Sequence, residues 1–143
     1  MLLLCHFLYA QNPSDVKRID SIAGVISEKA TNNKHKIVEG TLLLDDNKTS
    51  SIRFHLDREI VEMIVVESNL KDDVAIYFFD NGKILYVANF ANGNYNEIEN
   101  SVYFTDKGAY RKQTDIFKLI SSDVITAQVL SYFDLFKEQL KTK

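Results

Sequence analysis

Proline occurs once in this chain of 143 residues, cysteine once, glycine five times and tryptophan not at all. A chain so poor in Pro and so well supplied with Phe, Tyr, Ile, Leu and Val is not intrinsically disordered. The glycines at 24, 40, 82, 93 and 108 are isolated, so no Gly-rich loop is available to cradle a phosphate. Surplus positive charge is also missing. The net charge is −3, and the densest basic run, Lys34-His35-Lys36, reads as a solvated turn, which argues against a nucleic-acid backbone as the main partner. No apolar stretch is long enough for a transmembrane span, and no linker or low-complexity tract divides the chain. With 45% hydrophobic and 26% charged residues, a chain of this length buries enough surface to fold without disulfide or metal.

What is present begins with an uncharged segment, Met1-Leu2-Leu3-Leu4-Cys5-His6-Phe7-Leu8-Tyr9-Ala10, followed by the polar Gln11-Asn12-Pro13-Ser14-Asp15. A short apolar run that ends in a small residue before a polar segment has the form of a secretory signal peptide. Residues 1–10 are therefore read as a signal-peptide remnant, with cleavage after Ala10 and export to the periplasm or the extracellular medium. Residues 11–143 are read as a single domain. Cleavage removes Cys5, and a cysteine-free mature chain suits an oxidising compartment.

Asn12-Pro13-Ser14-Asp15 has the chemistry of a helix start, with Asn12 as cap and Pro13 at the first helical position. Val16, Ile19, Ile22, Ala23 and Ile26 follow at helical spacing, and the helix is expected to fade at Ala30-Thr31-Asn32-Asn33. From Lys36 to Gln113 the period becomes that of strands. Ile52, Phe54 and Leu56 alternate with Arg53 and His55, and Asp80-Asn81-Gly82-Lys83 is a hairpin turn between two apolar runs. A short helical turn is expected around Asp115 to Leu119. Ile125, Val129, Tyr132, Phe133, Phe136 and Leu140 then form one stripe of a C-terminal helix. The fold class is α+β: an antiparallel β-meander of about six or seven strands packed against N- and C-terminal helices.

Tyr77-Phe78-Phe79-Asp80-Asn81-Gly82 is echoed by Tyr103-Phe104-Thr105-Asp106-Lys107-Gly108, 26 residues later. This Tyr-Phe-x-Asp-x-Gly hairpin resembles a pattern in small exported proteins of uncharacterised function from bacteria of the Bacteroidetes type. Those proteins also carry an apolar leader ending near Ala-Gln and an N-terminal helix. The resemblance covers the leader and roughly residues 76–112. It implies export and a β-meander, and it carries no active site across.

Reaction chemistry finds little support. The carboxylate pairs Asp45/Asp46, Asp72/Asp73 and Glu97/Glu99 fall in expected turns, and no serine sits in a Gly-x-Ser-x-Gly elbow. His35 is read as solvated. Arg53 and His55 stand on the polar face of a strand, where they either meet water and a cross-strand acid or bind an anion or carboxylate. Metal binding is not expected there, because Asp57-Arg58-Glu59 reads as a turn, and no cofactor is implied. Tyr77, Tyr86 and Tyr103 are the more informative residues. The strand from Val74 to Phe79 is apolar on both faces, so each needs a cover. A Tyr-rich sheet surface that binds a protein or a small apolar or aromatic ligand, or that pairs two copies through the sheet, is the functional reading. It describes a non-catalytic binding or interaction module. The alternatives are a hydrolase or lyase of unrecognised type using His55 with Arg53, and an inhibitor or immunity protein.

Overall fold

The computed structural model describes residues 13–43, 49–68, 73–91 and 98–141. The leader with Cys5 and His6, the Asn12 cap, the Asp45-Asp46 turn, Asp72, Gly93, Tyr95 and Glu97 lie outside the described residues.

Helix α1 spans Pro13–Thr31. Its stripe at i, i+4 and i+7 puts Ile19, Ala23 and Ile26 into the core. The helix ends in two nested backbone bonds, Lys34 N–H to the Lys29 carbonyl at 2.9 Å and Asn33 N–H to the Ala30 carbonyl at 3.2 Å. Asn33 adopts a left-handed φ of 56°, so the exit is a Schellman motif with Asn in the place usually taken by glycine. The expected fade at Asn32-Asn33 is thus an ordered stop that turns the chain sharply back onto the sheet.

Eight strands follow: β1 Lys36–Leu43, β2 Thr49–Asp57, β3 Ile60–Ser68, β4 Val74–Asp80, β5 Lys83–Phe90, β6 Ile98–Thr105, β7 Gly108–Gln113 and β8 Ile116–Ile120. They pair antiparallel in sequence order from β1 to β8. The eighth strand replaces the helical turn expected around Asp115–Leu119. Residues 115–119 carry apolar side chains at a spacing too short to separate periods of 2 and 3.6, and pairing with β7 decides the matter. Asn81 and Gly82 both have positive φ, as a two-residue hairpin turn requires. Arg58 and Glu59 adopt the same turn, with φ of 52° and 66°. Helix α2, Asp123–Lys141, closes the chain. The Ser122 carbonyl accepts the Thr126 N–H, and the Ser121 hydroxyl accepts the Asp123 N–H.

The helices cover opposite faces of the sheet. Val129, Tyr132 and Phe136 of α2 pack against Ile52, Phe54, Tyr77, Phe79, Val87 and Val102. Ile19, Ala23 and Ile26 of α1 pack against Met63, Val65, Phe78, Tyr86, Phe90 and Tyr103. This three-layer arrangement is why β4 is apolar on both faces. A bulge opposite His55 and Leu56 leaves Glu62 as the unmatched residue of β3. A second leaves Glu99 unmatched in β6, between the pairs Asn89–Asn100 and Phe90–Ile98. Among the described residues no helix is long and apolar enough to cross a membrane.

Candidate functional site

Cross-strand register sets the first candidate site. Tyr86 in β5 pairs directly with Tyr103 in β6, which pairs in turn with Tyr110 in β7. The rings of Tyr86 and Tyr103 lie 4.8 Å apart, with Phe78 behind Tyr86 at 5.7 Å and Phe117 behind Tyr103 at 6.0 Å. Both rings are buried, at 7% and 3% exposure, so they form the wall of a cleft and not an open surface. The Tyr103 hydroxyl donates to Asp20 Oδ1 of α1 at 2.8 Å, and the Tyr86 hydroxyl lies within bonding reach of Ser101 and Tyr103. Burial, then the bond to Asp20, raises Tyr103 well above the ordinary phenol range. Burial raises Tyr86 too. Both are neutral hydroxyls at any physiological pH.

In front of this pair lies a cleft of about 340 Å³, lined by Asp20, Tyr86, Glu99, Ser101, Tyr103 and Lys112 among others. Such a volume sits at the small end of the range for ligand sites. The Lys112 ammonium leans over the Phe117 ring at 5.5 Å from its centroid. Two carboxylates therefore face one ammonium, and five hydroxyl or amide side chains supply further donors and acceptors.

Tyr77 belongs elsewhere. It points to the α2 side, 6% exposed, with its ring 5.4 Å from that of Tyr132. Burial, then Tyr132 beside it, raises its hydroxyl far above the ordinary value. It lines a different cleft of about 290 Å³ with Val66, Asn89, Asn100 and Tyr132. The three tyrosines singled out in the sequence thus do not share one surface. Two meet on the α1 face and the third backs them through the sheet.

Arg53 and His55 also divide. Arg53 reaches Glu67 across the β2–β3 ladder at 2.7 Å, the cross-strand acid anticipated for it. His55 is not solvated. It is 7% exposed, and among the described residues neither ring nitrogen has a hydrogen-bond partner. Desolvation, reinforced by the neighbouring His35 and Arg53, lowers its pKa from 6.5 to about 4. His35 corrects its expectation more sharply: the Schellman turn folds it inward to 8% exposure, with its ring edge-on to His55 at 5.4 Å. His35 Nε2 sits 2.9 Å from Glu62 Oε2. Lys29 of α1 donates to Glu62 at 3.0 Å and to Asp57 at 2.8 Å. Bonding to Lys29 lowers the Asp57 carboxyl below its ordinary range. An open cleft of about 310 Å³ runs past Lys29, Asp57, Arg58 and Glu62 along α1, but His55 does not line it. Among the described residues, no three His, Cys, Asp or Glu side chains converge as metal ligands do.

A scan against protein-family models, a search of curated proteins and a search of solved structures each return no match to this chain. Residue geometry is thus the ground for function.

Sequence reasoning did not find Asp20, Lys112, Lys29 or Glu62. Asp20 and Lys29 are ordinary polar positions on an amphipathic helix until the helix is docked. Glu62 becomes special only through the bulge, which breaks the alternation that would have assigned its face. The Asn33-Lys34-His35 segment did carry a signal: an Asn at a helix exit favours the left-handed conformation that redirects the next residues.

Proposed function

We propose that the protein is a small, exported, non-catalytic binding module, and that its ligand enters the cleft between Asp20 and the Tyr86–Tyr103 pair. One observation carries this reading. Tyrosine hydroxyls and a helix carboxylate converge on a cleft whose back wall is fixed by interlocked aromatic rings. Such a wall loses little conformational freedom on binding. The excess of carboxylate over ammonium favours a small polar ligand with a cationic group, rather than the apolar or aromatic ligand an open tyrosine surface would take. Export rests on the leader, with Ala10 at its end.

A hydrolase or lyase using His55 has less to support it. That ring is buried between strands, and no described cleft is lined by it. Nuclear magnetic resonance titration with a panel of amino acids, diamines and neutral sugars tests the binding reading. Amine-bearing members should shift the amides of Ser101, Tyr103 and Lys112, and Lys112→Glu should strengthen the effect. Absence of shifts from all members, or shifts centred on His55, would overturn it. N-terminal sequencing of protein recovered from the cell envelope tests export, with Gln11 expected as the first residue.

A further inference from the structure

We propose that the buried pair His35–His55, tied through Glu62 and Lys29 to the last turn of α1, is an acid-sensitive latch: proton uptake by His55 releases the C-terminal end of α1 from the sheet. This inference does not depend on the ligand cleft.

The geometry supplies both halves of the latch. On one side, α1 ends at the Schellman turn, and Lys29 bridges it to Asp57 in β2 and Glu62 in β3. His35, just past the turn, reaches the same Glu62 and covers the His55 ring. On the other side, His55 is fixed in the sheet between Ile37 of β1 and Met63 of β3. Three buried ring nitrogens, His35 Nδ1 and both nitrogens of His55, have no hydrogen-bond partner among the described residues.

A proton on His55 has nowhere to be balanced. His35 from the link and Arg53 from β2 act on it directly; behind His35 stand Glu62 of β3, Lys29 of α1 and Asp57 of β2, with Arg58 of the turn beside Asp57. On β1, Ile37 stands opposite His55, Glu39 shares that face opposite Arg53, and Lys36 pairs with Glu59 at 3.6 Å. Both nearby carboxylates are already engaged, Asp57 by Lys29 and Glu62 by Lys29 and His35. Arg53, with Glu67 as its partner, adds positive charge. A buried cation without a counter-ion gains most by reaching water. The strands on either side of His55 are held by ladder bonds, whereas the lid over it is one helical turn and a link. The fully buried apolar anchors of α1, Ile19, Ala23 and Ile26, precede that turn, whose own contribution to the core is the half-buried Ala30. The lid is therefore the part that opens first. Lys29 holds Asp57 below the ordinary carboxylate range, which favours its ionised form as His55 titrates.

Hydrogen exchange on the full chain, corrected for intrinsic pH effects, tests the proposal. Between pH 6 and pH 4, protection of amides at 27–36 should fall roughly tenfold per pH unit relative to the amides of α2. His55→Phe and His55→Gln should remove that slope. In the unsubstituted protein the His55 imidazole, followed by resonance, should titrate near 4 and not at its ordinary 6.5. Parallel loss of protection in α1 and α2, an unchanged slope in both variants, or a His55 midpoint near 6.5 would each overturn the latch. Should neither variant fold, the exchange profile and titration of the unsubstituted chain still decide it.

Discussion

The two faces of the sheet are built on opposite principles. Beneath α2 the contacts are ring on ring: Phe54 with Phe136 at 5.0 Å, Phe79 with Phe133 at 5.2 Å and Tyr77 with Tyr132 at 5.4 Å. Beneath α1 the apolar core is bordered at both ends by polar contacts, Tyr103 with Asp20 toward one end and Lys29, Glu62, His35 and His55 toward the other. An apolar interface is held by area and is nearly blind to pH. A face laced with titratable groups has its strength set by protonation and by a few replaceable atoms. The first face is built for stability, and the second is where the proposed responses to a proton and a ligand are placed.

Measurements can break or sharpen that contrast. The largest effect is expected on the α2 face: Phe54→Ala should lower unfolding free energy by about 3–5 kcal/mol, read as a shift in denaturant midpoint that is the same at pH 7 and pH 5. A strongly pH-dependent loss would mean the faces are not distinct.

Next comes acid. Because His55 is held near 4 in the fold against 6.5 when exposed, the unfolded chain binds the extra proton between these values. The stability contributed by its neutral burial is complete above about pH 6.5 and is lost as pH falls toward 4, by about 3 kcal/mol. Denaturation in His55→Phe should lack that fall, and an equal fall would assign the acid sensitivity to other groups.

Tyr103→Phe should be milder. It removes one hydroxyl and leaves Asp20 without its donor, at about 1 kcal/mol, while the ring packing stays. If the cleft binds as proposed, amine-induced shifts should weaken more than stability does. Smallest, and of opposite sign, is the β2–β3 turn. Replacing Arg58-Glu59 by Asn-Gly relieves two left-handed side-chain residues and should stabilise by up to about 1 kcal/mol. A thermal scan showing destabilisation would give the Arg58 or Glu59 side chain a structural role.

Hydrophobic period alone placed both helices and the main strands, because helix stripes and strand alternation are local consequences of burying one side of a chain. Asn81-Gly82 placed a hairpin because backbone sterics leave few residues that tolerate its dihedrals. β8 was misread as a helical turn because five residues hold too few repeats to distinguish the periods. The candidate site was only half legible. Tyr86 and Tyr103 stood out as aromatic residues in a two-faced strand region, yet nothing local revealed that Tyr77 lies on the other side of the sheet from them.

The sequence by itself determined both helices, the strands before β8, their antiparallel order and the need to cover both faces, since each of these follows from neighbours within a few residues. The tertiary structure decided which polar residues meet. Asp20 reaches Tyr103 across 83 positions, and Lys29 reaches Glu62 across 33. Such pairings depend on where a helix docks and where a bulge shifts a ladder by one residue. Both are set by the summed packing of the whole chain and are written in no single segment of it.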